Sequence, residues 1–360
     1  MYKNNKTILC LIDDLGSGGA ERQMAGLASM LKGKGYLVEV IYFESKDFFV
    51  QQLENNGVAV KYIPASQGKI KLMGAIRREI KAFTPEVVIS YLQSSCIIAS
   101  ILKLLGLRYK LIVSERNTNL NKTIRDTFRF NIFRVADCIV SNSYSQQKFI
   151  NEYFPFLKKN MVIVNFVDTE HFHPVNRERG NTIVIVATLW KSKNALGFIK
   201  AMKILKNQGI NFHVKWFGKV KDQDAYLQEC KNLIERLQLQ FEVELLDKTQ
   251  QISEEYCKAD YFCLPSFYEG TPNVICEALA SGLPIVCSNV CDNNRYVKDG
   301  ENGYLFDPKS PEDIASVVKK MLTISDIKYH SFKTESRRKA VENFSKSRFI
   351  DNYISLINNI

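Results

Sequence analysis

The sequence has no run of eighteen apolar residues, the length a helix needs to cross a bilayer. Its opening stretch, MYKNNKTILCLIDDLG, holds only seven apolar-leaning residues before two aspartates, too few for the core of a secretory signal. A cytoplasmic location is therefore expected. The nine cysteines are odd in number and scattered through apolar segments, as at Cys10, Cys138, Cys263 and Cys287, and no C-x-x-C pair occurs. That pattern fits small buried hydrophobes in a reducing compartment and argues against a disulfide framework. Histidine is scarce: His171, His173, His213 and His330 all lie away from the one close cysteine pair, Cys287 and Cys291, so a zinc site is not expected. Repeats and low-complexity tracts are missing too. What remains, 46% hydrophobic and 24% charged over 360 residues, is the composition of a soluble globular chain with room for two domains.

Charge is unevenly placed. The net charge is +11, and residues 51–150 alone hold 15 Lys and Arg against 6 Asp and Glu, whereas residues 181–360 hold 24 against 22. Within the basic part, KIKLMGAIRREIKAF (69–83) is an amphipathic stretch and RDTFRFNIFR (125–134) interleaves aromatics with arginines. Two readings stand: an acidic membrane surface on which the first domain rests, or a solvated basic face. No nucleic-acid motif accompanies the charge, so nucleic acid is not an expected partner.

Apolar runs of strand length alternate with segments of helical period. TILCLID (7–13), LVEVIYF (37–43), VVISYL (87–92), LIVSE (111–115) and CIVSN (138–142) are interleaved with helices such as 21–35. Runs apolar on both faces that alternate with helices indicate a parallel sheet in an α/β domain. After the polar stretch NFVDTEHFHPVNRERGN (165–181), which reads as a linker, the alternation restarts with TIVIVAT (182–188), HVKWFG (213–218), FEVELL (241–246), DYFCLP (260–265) and PIVCSN (284–289). Two Rossmann-like domains are expected, residues 1–166 and 167–335, with substrates between them at the carboxyl ends of the strands. A last helix near 334–358, carrying Phe344, Phe349, Tyr353, Leu356 and Ile357, would pack within 336–360 and bridge back to the first domain.

Two carboxylates, Glu269 and Glu277, stand seven residues apart in the apolar stretch PSFYEGTPNVICEALASGLPIV. DYFCLP is a buried strand and SFYEG a loop at its carboxyl end. Thr271 is placed as N-cap with Pro272 at the first helical position, and Gly282 stops the helix. Glu269 then lies in the loop and Glu277 on the second turn, both facing a polar ligand rather than apolar surroundings. The helix N-terminus between them suits a diphosphate. Read from these residues alone, an exposed loop acid and an ordinary helix acid would fit equally well.

YEGTPNVICEALASGLPIVCSNV (268–290), followed by DGENGYLFDP (299–308), resembles the signature of the family 4 glycosyltransferases, retaining enzymes of the GT-B fold. The resemblance implies that Glu269 contacts the donor sugar near the reacting carbon and that Glu277 binds the ribose of the nucleotide. It also implies that the backbone of Gly270, Thr271, Pro272, Asn273 and Val274 holds the diphosphate, although Pro272 has no N–H. It extends over nearly the whole chain. DLGSGGAERQ (14–23) is similar to the family's glycine-rich turn after the first strand, where Gly16, Gly18 and Gly19 let the backbone approach the donor phosphates or the acceptor. VATLWKSKN (186–194) is similar to its basic motif.

Two departures stand out. Thr188 occupies the place of the family's usual Arg, so of the pair that neutralises the leaving diphosphate only Lys193 is present, with Lys191 as a candidate for the second charge. Many members carry a catalytic His in the first domain, and this chain has none there. SERN offers Glu115, Arg116 and Asn117 instead, either as a replacement group at the acceptor and reacting sugar or as a structural salt bridge. Asp222-Gln223-Asp224 spells a metal-binding D-x-D, but it opens a polar helix rather than ending a buried strand, so no metal or other cofactor is expected. Leaving-group charge then falls to Lys193, the helix N-terminus and the glycine turn.

The resemblance thus implies a hexosyl- or N-acetylhexosaminyltransferase that uses a nucleoside-diphosphate sugar such as a UDP-sugar. Its acceptor would be a lipid-linked saccharide in lipopolysaccharide, O-antigen or capsule assembly, met at the inner face of the cell membrane. A nucleotide-sugar epimerase of the same architecture, and a non-catalytic nucleotide-sugar or membrane-binding module, are the alternatives. Acceptor-dependent release of nucleoside diphosphate, free epimerised sugar nucleotide, or binding without turnover tells the three apart.

Overall fold

The computed structural model describes residues 6–116, 119, 121–219, 224–270 and 272–360, with the backbone alone at Gln67. They divide into two units, residues 1–165 with 347–360 and residues 166–346. In unit 1 the apolar runs form β1 (Thr7–Ile12), β2 (Leu37–Tyr42), β3 (Ala59–Tyr62), β4 (Val87–Tyr91), β5 (Lys110–Glu115), β6 (Cys138–Ser141) and β7 (Asn160–Val162). Between them lie α1 (Gly19–Gly33), α2 (Val50–Asn55), α3 (Lys69–Phe83), α4 (Gln93–Leu104), α5 (Ile124–Ile132) and α6 (Tyr144–Tyr153). The strands form one parallel sheet in the order β3-β2-β1-β4-β5-β6-β7. Its central strands β1 and β4 are buried except at Thr7, as a sheet covered on both faces requires.

Unit 2 repeats the plan with β8 (Thr182–Val186), β9 (His213–Phe217), β10 (Val243–Leu246), β11 (Tyr261–Leu264), β12 (Ile285–Ser288) and β13 (Gly303–Phe306), all parallel, in the order β10-β9-β8-β11-β12-β13. Its helices are α7 (Ala195–Asn207), α8 (Ala225–Arg236), α9 (Ile252–Lys258), α10 (Asn273–Ala280), α11 (Asn293–Tyr296), α12 (Pro311–Leu322) and α13 (Asp326–Phe344). Each sheet reverses its winding once, between β1 and β4 in unit 1 and between β8 and β11 in unit 2. Ligands of open α/β sheets bind at the carboxyl ends of the strands at such a switch point. In unit 2 that place is held by Ala187–Lys193 after β8 and Pro265–Glu269 after β11.

The single C-terminal helix expected near 334–358 is two. Ser345 adopts an extended conformation (φ −63°, ψ 149°) and ends α13, and α14 (Lys346–Asn359) follows, belonging to unit 1 from Ser347 onward. A serine, whose short side chain competes for backbone hydrogen bonds, marks the break where neither Gly nor Pro does. The amphipathic stretch 69–83 is also differently employed: Leu72, Ile76 and Ile80 of α3 are buried in the core of unit 1, so its apolar face is spent on the fold. All nine cysteines are free, and burial pushes the Cys10 thiol up to about 12. Among the described residues no helix is long and apolar enough to cross a membrane.

Candidate functional site

The loop after β11 carries Glu269 back over the sheet. The Phe267 N–H donates to the Ser192 carbonyl (2.9 Å), tying this loop to the segment after β8. That tie brings Lys193 Nζ to 2.5 Å from Glu269 Oε1. Ser266 Oγ donates to the same oxygen (2.6 Å), and Ser288 Oγ, at the end of β12, lies 2.6 Å from the Ser266 carbonyl. Glu269 is 9% exposed and Glu277 5%, so both acids are more buried than expected from the sequence. Polar neighbours account for this. Glu269 has Ser266 and Lys193, and the Tyr256 hydroxyl is 3.3 Å from Glu277 Oε2 and from the Val274 carbonyl.

The helix after the loop starts one residue later than expected. The Pro272 carbonyl accepts from the Ile275 N–H (3.0 Å) with extended backbone (ψ 112°), which makes Pro272 the N-cap and Asn273 the first helical residue. Thr271, expected as the cap, lies outside the described residues. Helix geometry gives the N–H groups at the first two positions, Asn273 and Val274, no intrahelical acceptor. Gly282 has φ +70°, and the Leu283 N–H reaches the Ala278 carbonyl (3.0 Å), the glycine stop foreseen from the sequence.

The segment after β8 is a turn of 3-10 helix, Lys191–Lys193, closed by Asn194 in the left-handed region (φ +57°), whose Nδ2 donates to the Pro308 carbonyl (2.7 Å). Thr188 is half-buried, and its carbonyl accepts from the Trp190 N–H (2.7 Å). Lys191 is exposed. Gly218, following β9, has φ +126° and lies so close to the Ala187 carbonyl that a Cβ would collide with it. Ser266, Ser288, Asn194 and Gly218 were not singled out from the sequence, although a glycine directly after the buried run HVKWF was a visible signal.

In unit 1 the turn between β1 and α1 holds Gly16 and Gly18, and Gly19 opens α1. The Gly16 N–H donates to Asp14 Oδ1 (2.8 Å), and Asp14 Oδ2 is 3.3 Å from Lys46 Nζ. Gly18 caps α1, and a Cβ there would collide with the Glu21 carboxylate. Burial pushes the Glu21 carboxyl above its usual range. The turn's backbone is therefore lined by its own carboxylates.

The structure separates Glu115 from Arg116. Both carboxylate oxygens of Glu115 face Arg129 Nη1, at 3.0 and 3.2 Å, and all of these groups are buried; Arg129 also holds Asp126 (3.0 Å). Burial pushes the Glu115 carboxyl up, and Arg129 pulls it back. The Arg116 guanidinium lies 4.0 Å from the centroid of the Tyr91 ring. It donates to Asn165 Oδ1 (2.7 Å), to the Tyr353 hydroxyl (3.0 Å) and to the Tyr91 hydroxyl. Asn117 lies outside the described residues, as do Asp222 and Gln223. Asp224 accepts from the Tyr226 N–H (3.0 Å) and the Leu227 N–H (3.1 Å), so its carboxylate caps α8. Among the described residues no group of three or more His, Cys, Asp and Glu is placed to hold a metal ion.

Two parallel-sheet units, each wound about one switch point, have the architecture of the GT-B glycosyltransferases. The chain belongs to the glycosyltransferases by both halves, residues 17–171 matching the family described as Glycosyltransferase Family 4 and residues 166–339 that described as Glycosyl transferases group 1. One relative, from Campylobacter jejuni, is 26% identical over 96% of this chain and 97% of its own. It is an alpha-1,4-N-acetyl-D-galactosaminyltransferase named for GalNAc-alpha-(1->4)-GalNAc-alpha-(1->3)-diNAcBac-PP-undecaprenol. Another, from Escherichia coli, is 31% identical over 58% of each chain; it is a UDP-Gal:alpha-D-GlcNAc-diphosphoundecaprenol alpha-1,3-galactosyltransferase. Among solved structures, an Anabaena protein in complex with UDP and glucose superposes with a TM-score of 0.86 at 17% identity, covering 99% of this chain and 100% of its own. That likeness shows the fold.

Proposed function

We propose that the chain transfers a sugar from a nucleoside-diphosphate sugar to a hydroxyl of a lipid-linked saccharide, with retention at the anomeric carbon. The Lys193–Glu269 pair at the switch point of unit 2 carries this reading, because it sets a cation for a diphosphate beside a carboxylate for sugar hydroxyls. In this reading Lys193 and the start of α10 hold the diphosphate, with backbone from Gly270 to Val274. Glu269 meets the transferred sugar, and Glu277 the ribose. The bond from the anomeric carbon to the diphosphate breaks, the acceptor oxygen bonds on the same face, and the hydroxyl proton passes to a phosphate oxygen of the leaving group. The carboxylates of Asp14 and Glu21 beside Gly16, Gly18 and Gly19 suit sugar hydroxyls of the acceptor better than phosphate. Glu115, held by Arg129, and Arg116, held by Asn165 and two tyrosines, are assigned structural roles in unit 1.

The acceptor class is supported by the undecaprenol-linked substrates in the relatives' names. An anionic membrane is the partner proposed for unit 1. Ile124 (90% exposed) and Phe128 (66% exposed) stand four residues apart on α5, next to exposed Lys122 and Arg125. Incubation with UDP- and GDP-sugars and polyprenyl-diphosphate-linked saccharides tests the function; nucleoside diphosphate release that does not depend on acceptor would sink it. Vesicle sedimentation tests the membrane: binding should rise with anionic lipid and fall when Ile124 and Phe128 are replaced by Glu.

A further inference from the structure

Among the described residues Glu269 is held from one side only. Its Oε1 receives both Ser266 Oγ (2.6 Å) and Lys193 Nζ (2.5 Å), while Oε2 has no hydrogen-bond partner among the described residues. Ser266 is itself held: it is fully buried, its carbonyl lies 2.6 Å from Ser288 Oγ, and Ser288, also fully buried, lies 3.1 Å from the Leu264 carbonyl. The two serines bind the loop after β11 to the end of β12, and the loop's own hydroxyl fixes the carboxylate.

Resting on the function proposed above, we infer that Ser266, backed by Ser288, is a positioning residue for Glu269 and that Oε2 is the oxygen offered to the sugar. The two donors on Oε1 have different fates. A diphosphate competes for the Lys193 ammonium, since a doubly charged anion outbids one carboxylate for a flexible lysine chain. Once Lys193 turns to phosphate, Ser266 is the one side-chain donor left on Glu269 Oε1 among the described residues. Ligand-free protein therefore keeps Glu269 neutralised by Lys193, and donor binding hands its orientation to a buried hydroxyl that cannot follow the phosphate. A carboxylate held through one oxygen by a fixed donor keeps its other oxygen aimed, which is what a group reading sugar hydroxyls requires.

The test uses the full chain and the nucleotide sugar that the wild-type protein transfers. Ser266→Ala should lower kcat about ten- to a hundredfold, the worth of a hydrogen bond to a charged group. The affinity for the free nucleoside diphosphate, measured by calorimetric titration, should stay within about twofold. Affinity for the intact nucleotide sugar should fall. Ser266→Thr, which keeps the hydroxyl, should restore kcat, and Ser288→Ala should act in the same direction more weakly. A purely structural serine would lower thermal stability in all three variants without separating nucleoside diphosphate from nucleotide sugar. An unchanged kcat in Ser266→Ala, or an equal loss of both affinities, overturns the inference. A wild-type protein that transfers no sugar overturns the functional reading first, and the inference with it.

Discussion

Glu269 and Glu277 share one motif but are held by different chemistry, so their loss should be felt differently. Glu269→Ala should abolish transfer while leaving nucleoside diphosphate binding largely intact. Glu277→Ala should weaken nucleotide binding by about 1.5–3 kcal/mol, the range for a hydrogen bond to a charged group. Steady-state kinetics beside calorimetric titration separates the two, and equal, mild effects in both variants would refute the roles. Arg129 is a residue of another kind. It neutralises two buried acids, Glu115 and Asp126, and stacks on Phe130 with its guanidinium carbon 4.5 Å from the ring centroid. Arg129→Ala strands both carboxylates and should cost about 3–5 kcal/mol, read as a lowered urea midpoint.

At the scale of elements, the close approach of Gly218 to the Ala187 carbonyl packs the end of β9 against the start of the segment that leads to Lys193, where the Leu189 N–H donates to the Gly218 carbonyl (3.1 Å). Gly218→Ala must adopt φ near +126° and move the Ala187 carbonyl, so it should destabilise unit 2 by at least about 1–3 kcal/mol in thermal unfolding. The central strands of both sheets were legible because burial on two faces writes an unbroken apolar run, as in TILCLI or VVISY. The edge strands β3, β7 and β13 are short and lie at the margins of their sheets, and AVKY, NMV and GYLF carry no such run. Glu269 and Lys193 were legible through motif wording, since a loop acid and a helix-start lysine have no periodic signature of their own. Ser266 and Ser288 were not, because a serine that donates to a carboxylate, as Ser266 does, or to a backbone carbonyl, as Ser288 does, reads in sequence like any turn serine. The pairing of Glu115 with Arg129 joins β5 to α5 across fourteen residues and follows from packing, while the adjacent Arg116 was the sequence's more visible partner.

At the scale of the whole molecule, unit 1 depends on residues encoded after all of unit 2. Phe349, Ile350, Tyr353, Leu356 and Ile357 are buried, and the Tyr353 hydroxyl shares a 2.7 Å hydrogen bond with that of Tyr91 in β4. At roughly 1.5–3 kcal/mol per buried side chain, their removal approaches the whole stability of an ordinary domain. Deleting residues 347–360 should therefore unfold or melt unit 1 while unit 2 keeps its own transition, a loss that hydrogen exchange would map to β1 and β4.

Chain order and completion order consequently disagree. During synthesis the seven strands of the first sheet emerge before unit 2, yet the helix that carries Tyr353 against Tyr91 is made only after it. Unit 1 therefore gains its closing helix only after the whole of unit 2 has been made. A circular permutant that places residues 347–360 ahead of residue 6 would let unit 1 close first, and its yield on refolding compared with the natural order would measure what that wait costs.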